Sequence, residues 1–339
     1  MPRLRRVDCA GPGIVRKRRG KGFSYQWSDG RPVTEPEVLA RIKALVLPPA
    51  WQDVWICPWP NGHIQAIGTD AAGRRQYRYH DAWRVQRDRD KHDRVLVVAQ
   101  RLPAARDRAA EHLALRGYPR ERVLAAAFRL LDLGYLRVGG EEYAEDNGSF
   151  GLATLRREHV TLRHGAIVFN YPAKSGKQRI QRLADDDVRA VVLGLLRRKD
   201  DSPELLAYRE RGHWRDVRSD DVNAYLREIF GVEVTAKDFR TWHATVLMAV
   251  ALAVSREVAN SPGKRKRAIA RAYREVAEYM GNTPAVARSS YVDPRLIDLY
   301  DDGATVLPAM ERAAAETDDE GPYLHGTVER AVLRLLATE

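Results

Sequence analysis

The spacing of apolar and polar positions changes character along the 339-residue chain. Up to about residue 90, short aromatic and β-branched stretches such as 53–58 and 63–68 are broken by Pro and Gly, the texture of strands and turns. Within that region only 35–46 has helical spacing, with Val38, Ile42, Leu45 and Val46 on one face. Beyond it the period becomes helical, over 94–115 and again over 120–133. Alternation returns at 159–183, around turns at His164-Gly165 and Lys174-Ser175-Gly176, which predicts a small antiparallel sheet with Lys174 at a hairpin tip. Helices resume at 185–198 and 219–230, each preceded by Asp or Ser able to cap it. Thr235 with Asp238 reads as a capping box opening a helix that runs to about Val258, and a further helix over 264–280 stops at Gly281. After an acidic stretch at 317–322 (TDDEGP) comes a last short helix, 328–337.

These elements predict an α+β chain. A small, mostly-β amino-terminal domain (1–90) precedes a larger, mainly α-helical domain (91–310) whose small antiparallel sheet carries the lysine hairpin. A carboxy-terminal tail with a short helix (311–339) follows. Five of the seven tryptophans (Trp27, Trp51, Trp55, Trp59, Trp83) fall in the first domain.

Composition narrows the classes. A hydrophobic fraction of 44% with 30% charged residues suits a folded chain rather than a disordered one. A net charge of +11 asks for a polyanionic partner, nucleic acid or an anionic membrane surface. The longest apolar run, 246–254, is half of the ~20 residues a membrane span needs, so it reads as a buried helix. The basic start MPRLRRVDCAGPG lacks a following apolar stretch, which argues against a secretory signal. Cys9 and Cys57 alone make neither a disulfide framework nor a four-ligand zinc site, and read as free thiols in a reducing cytosol. The expectation is a soluble intracellular protein with no membrane partner.

The chain has no Walker-type glycine loop, HExxH, paired CxxC or GxSxG. Chemistry at a phosphate would then fall to its own cations and a side-chain nucleophile. Arginines suit the non-bridging oxygens because a planar guanidinium engages two at once. A lysine suits the leaving oxygen because a neighbouring cation makes its proton easier to give up. Four segments supply such a set: Arg137 just after a helix, Lys174 on the hairpin, Lys237 and Arg240 three apart at a helix start, and GNTPAVARSSYVDP at 281–294, where Asn282 stands nine residues before Tyr291.

In order and spacing these segments resemble the type IB DNA topoisomerases, in particular the short poxvirus-like branch found also in bacteria, over residues 20–300. The resemblance implies that Tyr291 is the nucleophile and that Arg137, Arg240 and Asn282 hold the non-bridging oxygens. It implies that Lys174 protonates the leaving 5′-oxygen, with Lys237 assisting. Asn282 stands where many members have histidine; it can donate a hydrogen bond but cannot act as an acid. GRRQYRYH at 73–80 resembles a DNA-contacting segment, which puts Gln76, Tyr77 and Tyr79 on DNA, and the step from Arg137 to Tyr143 fits a further contact. The implied activity is relaxation of supercoiled duplex DNA through a transient 3′-phosphotyrosine. It needs no metal, nucleotide or other cofactor, and is carried out by a monomer clamped on double-stranded DNA at the nucleoid in the cytoplasm.

Two other readings compete. A tyrosine site-specific recombinase uses closely similar residues, but typically carries His-x-x-Arg where this chain has Lys237-Asp-Phe-Arg240 and lacks the amino-terminal β domain. A basic DNA-binding protein without catalysis would have no use for Tyr291. Taken singly, each residue also has an ordinary reading: Tyr77 and Tyr79 as one buried strand face, Lys237 as a solvated helix start, and GKRKR at 263–267 as a solvated stretch.

Overall fold

The strands of the first ninety residues pair into one antiparallel sheet. They are β1 (Ile14–Arg19), β2 (Gly22–Trp27), β3 (Gln52–Ile56), β4 (Ile64–Thr69) and β5 (Arg75–Tyr79), in spatial order β2-β1-β3-β4-β5. Helix α1 (Pro36–Ala44) lies between β2 and β3 in sequence. Ile14, Val33, Ile42, Val54, Ile56 and Ala66 form the core here, with Trp27 and Trp51 packed against it. Val46 departs from the sequence expectation: the helix ends at Ala44, and Val46 follows at φ 50° and 82% exposed. The computed structural model describes residues 3–134, 136–256, 261–316 and 326–337. It divides into two units, Met1–Lys91 and His92–Glu339.

The second unit is mainly helical. The boundary falls within α2 (Asp81–Leu113), which starts well before residue 94 because its first half, rich in Arg and Asp, carries little apolar period. Then come α3 (Arg120–Gly134) and α4 (Glu141–Asn147), followed by a three-stranded antiparallel sheet of β6 (Val160–Arg163), β7 (Ala166–Pro172) and β8 (Gln178–Leu183). After α5 (Asp186–Leu196), β9 (Ala207–Glu210) pairs with β10 (His213–Asp216), a hairpin the sequence reading did not anticipate. The remaining helices are α6 (Ser219–Phe230), α7 (Ala236–Ser255), α8 (Pro262–Met280), α9 (Pro284–Ser290), α10 (Arg295–Asp301), α11 (Leu307–Glu316) and α12 (Thr327–Leu336). The expected continuation of α7 to residue 258 and the acidic stretch at 317–322 lie outside the described residues. Among the described residues, no helix is long and apolar enough to cross a membrane.

Helix α7 is buried on nearly every side, which explains its almost unbroken apolar sequence from Ala244 onward. Its Phe239 meets Phe128 of α3 and Phe230 of α6 edge-on, with ring centres 5.7 and 5.3 Å away. Fully burying each such ring contributes roughly 2 kcal/mol. A polar network joins the same helices. Arg106 of α2 donates to Asp132 of α3 at 2.8 and 2.9 Å and to Glu329 of α12 at 2.6 and 3.0 Å. Trp242 of α7 also donates to Glu329, at 3.3 Å. Val328, Val332 and Leu336 of α12 are buried in this core. The last helix, expected in a separate tail, is therefore packed into the same unit as α7.

Candidate active site

Each expected catalytic residue sits in the second unit, and its neighbours account for its placement. Arg137 follows α3 in a loop pinned to the backbone of 151–153. Leu152 N–H donates to the Arg137 carbonyl at 2.8 Å and Ala153 N–H to that of Val138 at 2.7 Å. The loop can lie so close because Gly139 (φ 80°) packs on Gly151, where an added Cβ would stand 2.5 Å from the Gly139 Cα.

Lys174 begins a single turn of 3-10 helix between β7 and β8, as the hairpin expectation required. Ala173 N–H bonds the Lys177 carbonyl at 2.9 Å, and Gly176 takes the left-handed φ of 69° that closes the turn. Lys237 and Arg240 lie in the first turns of α7, whose capping box is made by Thr235 and Asp238. Lys237 is exposed, whereas Arg240 is only 5% exposed.

Tyr291 ends α9, with its N–H on the Ala287 carbonyl. Thr245 of α7 fixes the next stretch of chain, accepting from Asp293 N–H at 3.2 Å. Buried Asp293 is in turn held by Arg295 at 2.8 Å.

Arg137, Lys174, Lys237, Arg240 and Tyr291 line one cavity of about 270 Å³, along with Val138, Phe150 and Ala236. The Arg240 guanidinium lies over the Tyr291 ring, 5.4 Å from its centre. Burial acts to raise the Tyr291 pKa, but the neighbouring Arg240, with Arg137 and Lys237 behind it, outweighs burial and leaves the phenol below its ordinary value. Burial, and then Arg137, pull Arg240 down to about 10.

Asn282 is not among the residues lining this cavity. Its Oδ1 accepts from Arg137 Nη2 at 2.6 Å, and since a guanidinium only donates, that contact fixes which end of the amide faces Arg137. Its Nδ2 is buried without a hydrogen-bond partner. In this structure Asn282 thus meets Arg137 and does not itself line the cavity.

The α8 carboxyl terminus was not anticipated as part of the site. Arg179 of β8 donates to the Tyr279 carbonyl at 3.0 Å, Arg240 to Met280 at 2.7 Å and Arg137 to Gly281 at 2.9 Å. Three guanidiniums from three separate elements thus grip successive carbonyls at the negative end of one helix. The only hint in the sequence was Gly281 as a cap. Arg179 was hidden because β8 inverts the usual alternation: Ile180 is 71% exposed, while Arg179 and Gln181 turn inward.

In the first unit, Gln76, Tyr77 and Tyr79 lie on β5 at the edge of the sheet. Tyr77 and Tyr79 are 45% and 38% exposed with rings stacked 6.0 Å apart, so they are not a buried strand face. Gln76 donates to Asp70 at 2.8 Å. Tyr143 belongs to α4, but its side chain lies outside the described residues. Among the described residues, no group of three or more His, Cys, Asp or Glu could hold a metal ion.

Two family models match the chain. The one described as the catalytic core of eukaryotic DNA topoisomerase I matches residues 80–304, and the one described as the N-terminal domain of bacterial DNA topoisomerase IB matches residues 22–70. The DNA topoisomerase 1B of Acanthamoeba polyphaga mimivirus is 32% identical over 294 residues, 85% of this chain and 87% of the viral protein. The DNA topoisomerase 1B of vaccinia virus (strain Copenhagen) is 22% identical over 239 residues, 70% of this chain and 72% of its own length. The DNA topoisomerase 1 of rabbit fibroma virus (strain Kasza) is 22% identical over 234 residues, covering 67% of this chain and 68% of the viral one.

Proposed function

The chain belongs to the type IB DNA topoisomerases, isomerases that act on DNA, and from that membership we propose that Tyr291 is the nucleophile with which it opens one strand. The Tyr291 oxygen attacks the scissile phosphorus, and the bond from phosphorus to the 5′-oxygen breaks. The products are a 3′-phosphotyrosine and, once a proton arrives from Lys174, a 5′-hydroxyl. The free end rotates, and the hydroxyl then attacks the phosphotyrosine to restore the strand. The energy of the broken bond stays in the phosphotyrosine, so the cycle needs no ATP, and the side-chain cations stand where a metal would otherwise take the phosphate charge.

Arg137 and Arg240 stabilise the charge that builds on the non-bridging oxygens. Asn282 acts on the same phosphate through Arg137, whose guanidinium its Oδ1 holds. Lys237, exposed at the cavity rim, supports the phenolate and assists proton transfer. The observation that carries this reading is the shared cavity in which Tyr291, its pKa lowered, meets four cations from three elements. A recombinase would share that cavity, but the matches over both units are to topoisomerases.

The enzyme works as a monomer clamped on duplex DNA, with the exposed tyrosine pair of β5, Gln76 beside it and Tyr143 contacting the duplex. A bacterial cytoplasm, with the enzyme on the nucleoid, is supported by the match of residues 22–70 to a domain described from bacterial enzymes. Plasmid relaxation in EDTA without nucleotide tests the reading: wild type should remove supercoils and Tyr291→Phe should bind but not relax. Relaxation by Tyr291→Phe at the wild-type rate would refute it.

A further inference from the structure

Beside the Tyr291 cavity lies a second one of about 260 Å³, which shares Arg137, Lys174 and Arg240 with it and adds Lys177, Arg179 and Glu278. Five cations thus face one carboxylate in a single pocket. Capping α8 does not account for this charge. A helix terminus carries the equivalent of about half a negative charge, which one guanidinium already matches, yet three converge there. The excess is costly: burial, with the Arg137 charge, pulls Arg179 below the ordinary arginine value, and burial with Arg137 does the same to Arg240. Arg179 is also incompletely used. Its Nε bonds Gln181 at 3.2 Å and its Nη2 bonds Tyr279, while Nη1 lies against Gly281 with no hydrogen-bond partner among the described residues. A rigid, under-neutralised cluster with a spare donor is the arrangement an anion completes.

We propose that Arg179, with Lys177, forms a second phosphate subsite that holds the backbone phosphodiester next to the one Tyr291 attacks. Arg137, Arg240 and Lys174 stand between the two subsites, so two successive phosphates of the cleaved strand bridge the cavities. Holding the neighbour fixes the strand in line with the phenol, and Arg179 is therefore a binding residue for the reaction. This inference rests on the reading of Tyr291 as nucleophile.

The test is single-turnover cleavage of a duplex carrying a site first mapped on plasmid DNA with the wild-type enzyme. Each phosphate flanking the scissile one is replaced in turn by a neutral methylphosphonate. With wild type, one replacement should slow formation of the covalent complex at least tenfold. Arg179→Ala should be slowed by a similar factor on unmodified DNA and lose its sensitivity to that same replacement. Arg179→Gln, which keeps a donor for the Tyr279 carbonyl without the charge, should behave like Arg179→Ala, and Arg179→Lys should recover part of the rate and the sensitivity. If every variant stays as sensitive as wild type to every replacement, or if Arg179→Gln cleaves unmodified DNA at full rate, the subsite is refuted. A wild-type enzyme that forms no complex with unmodified DNA would instead refute the Tyr291 reading itself.

Discussion

Arg240 ties Tyr291 to the end of α8: its guanidinium lies 5.4 Å from the centre of the Tyr291 ring, and its Nη2 is tethered to the Met280 carbonyl at 2.7 Å. Burial raises the phenol and Arg240 is the largest influence against it, so removing this arginine leaves only the weaker pull of Arg137 and Lys237 to oppose burial. The rate of cleavage in wild type should rise with pH to an inflection below the ordinary tyrosine value of about 10. In Arg240→Ala that inflection should move to higher pH. The maximal rate should also fall by roughly 10² to 10³, the usual loss when one donor to developing charge is removed. A pH–rate profile of covalent complex formation reads both effects, and an unmoved inflection would contradict the coupling.

Gly281→Ala should damage the arginine cluster without touching the nucleophile. The residue has φ 61°, and an added Cβ would stand 2.5 Å from Arg179 Nη1. Left-handed strain alone costs about 1–2 kcal/mol, and Arg179 must also move. We expect a lower melting temperature together with slowed cleavage. Thermal denaturation and single-turnover rates check this, and an unchanged melting temperature would argue against the strained cap.

Glu204 provides a pH test of stability. Its Oε2 is buried without a partner, and burial, then Asp216, push its pKa up to about 7. The unfolded chain would hold this carboxyl near its ordinary value of about 4.3. Folding therefore takes up a proton between those values, and this group lowers stability progressively as pH rises toward 7. Glu204→Gln should match wild type near pH 4, gain relative stability up to pH 7 and then level off. Denaturation midpoints across that range read the difference, and a constant offset would contradict it.

The carboxy-terminal helix should be required for the fold of the second unit. Glu329, 6% exposed, receives hydrogen bonds from Arg106 and Trp242. Breaking a buried charged contact by removing one partner costs about 3 kcal/mol or more. Glu329→Ala should lower the melting temperature by that amount of stability, and a chain ending at residue 325 should lose more. Equal melting temperatures would refute the tie.

What the sequence revealed and concealed follows from how local each signal is. Helix α6 begins at Ser219 and ends at Phe230, where its apolar period placed it, although its N-cap is Arg218 and not the expected Asp or Ser, and the lysine hairpin is announced by its turn residues. The first half of α2 is helical with almost no apolar period, so its start was invisible. Arg179 was concealed because Ile180 faces outward. The contact of Arg137 with Asn282, and the grip of three arginines on α8, join residues 40 to 145 positions apart, and no local pattern encodes them. The same holds for Glu329, whose partners Arg106 and Trp242 stand 223 and 87 positions away.

The central claim is that Tyr291 carries the broken strand. A suicide duplex should trap a covalent complex with wild-type enzyme in EDTA without nucleotide. Trypsin should then release an oligonucleotide-linked peptide spanning 289–295, between the cleavages after Arg288 and Arg295, with the adduct on Tyr291. Tyr291→Phe should give no adduct. An adduct on another residue, or an undiminished yield from Tyr291→Phe, would contradict the account.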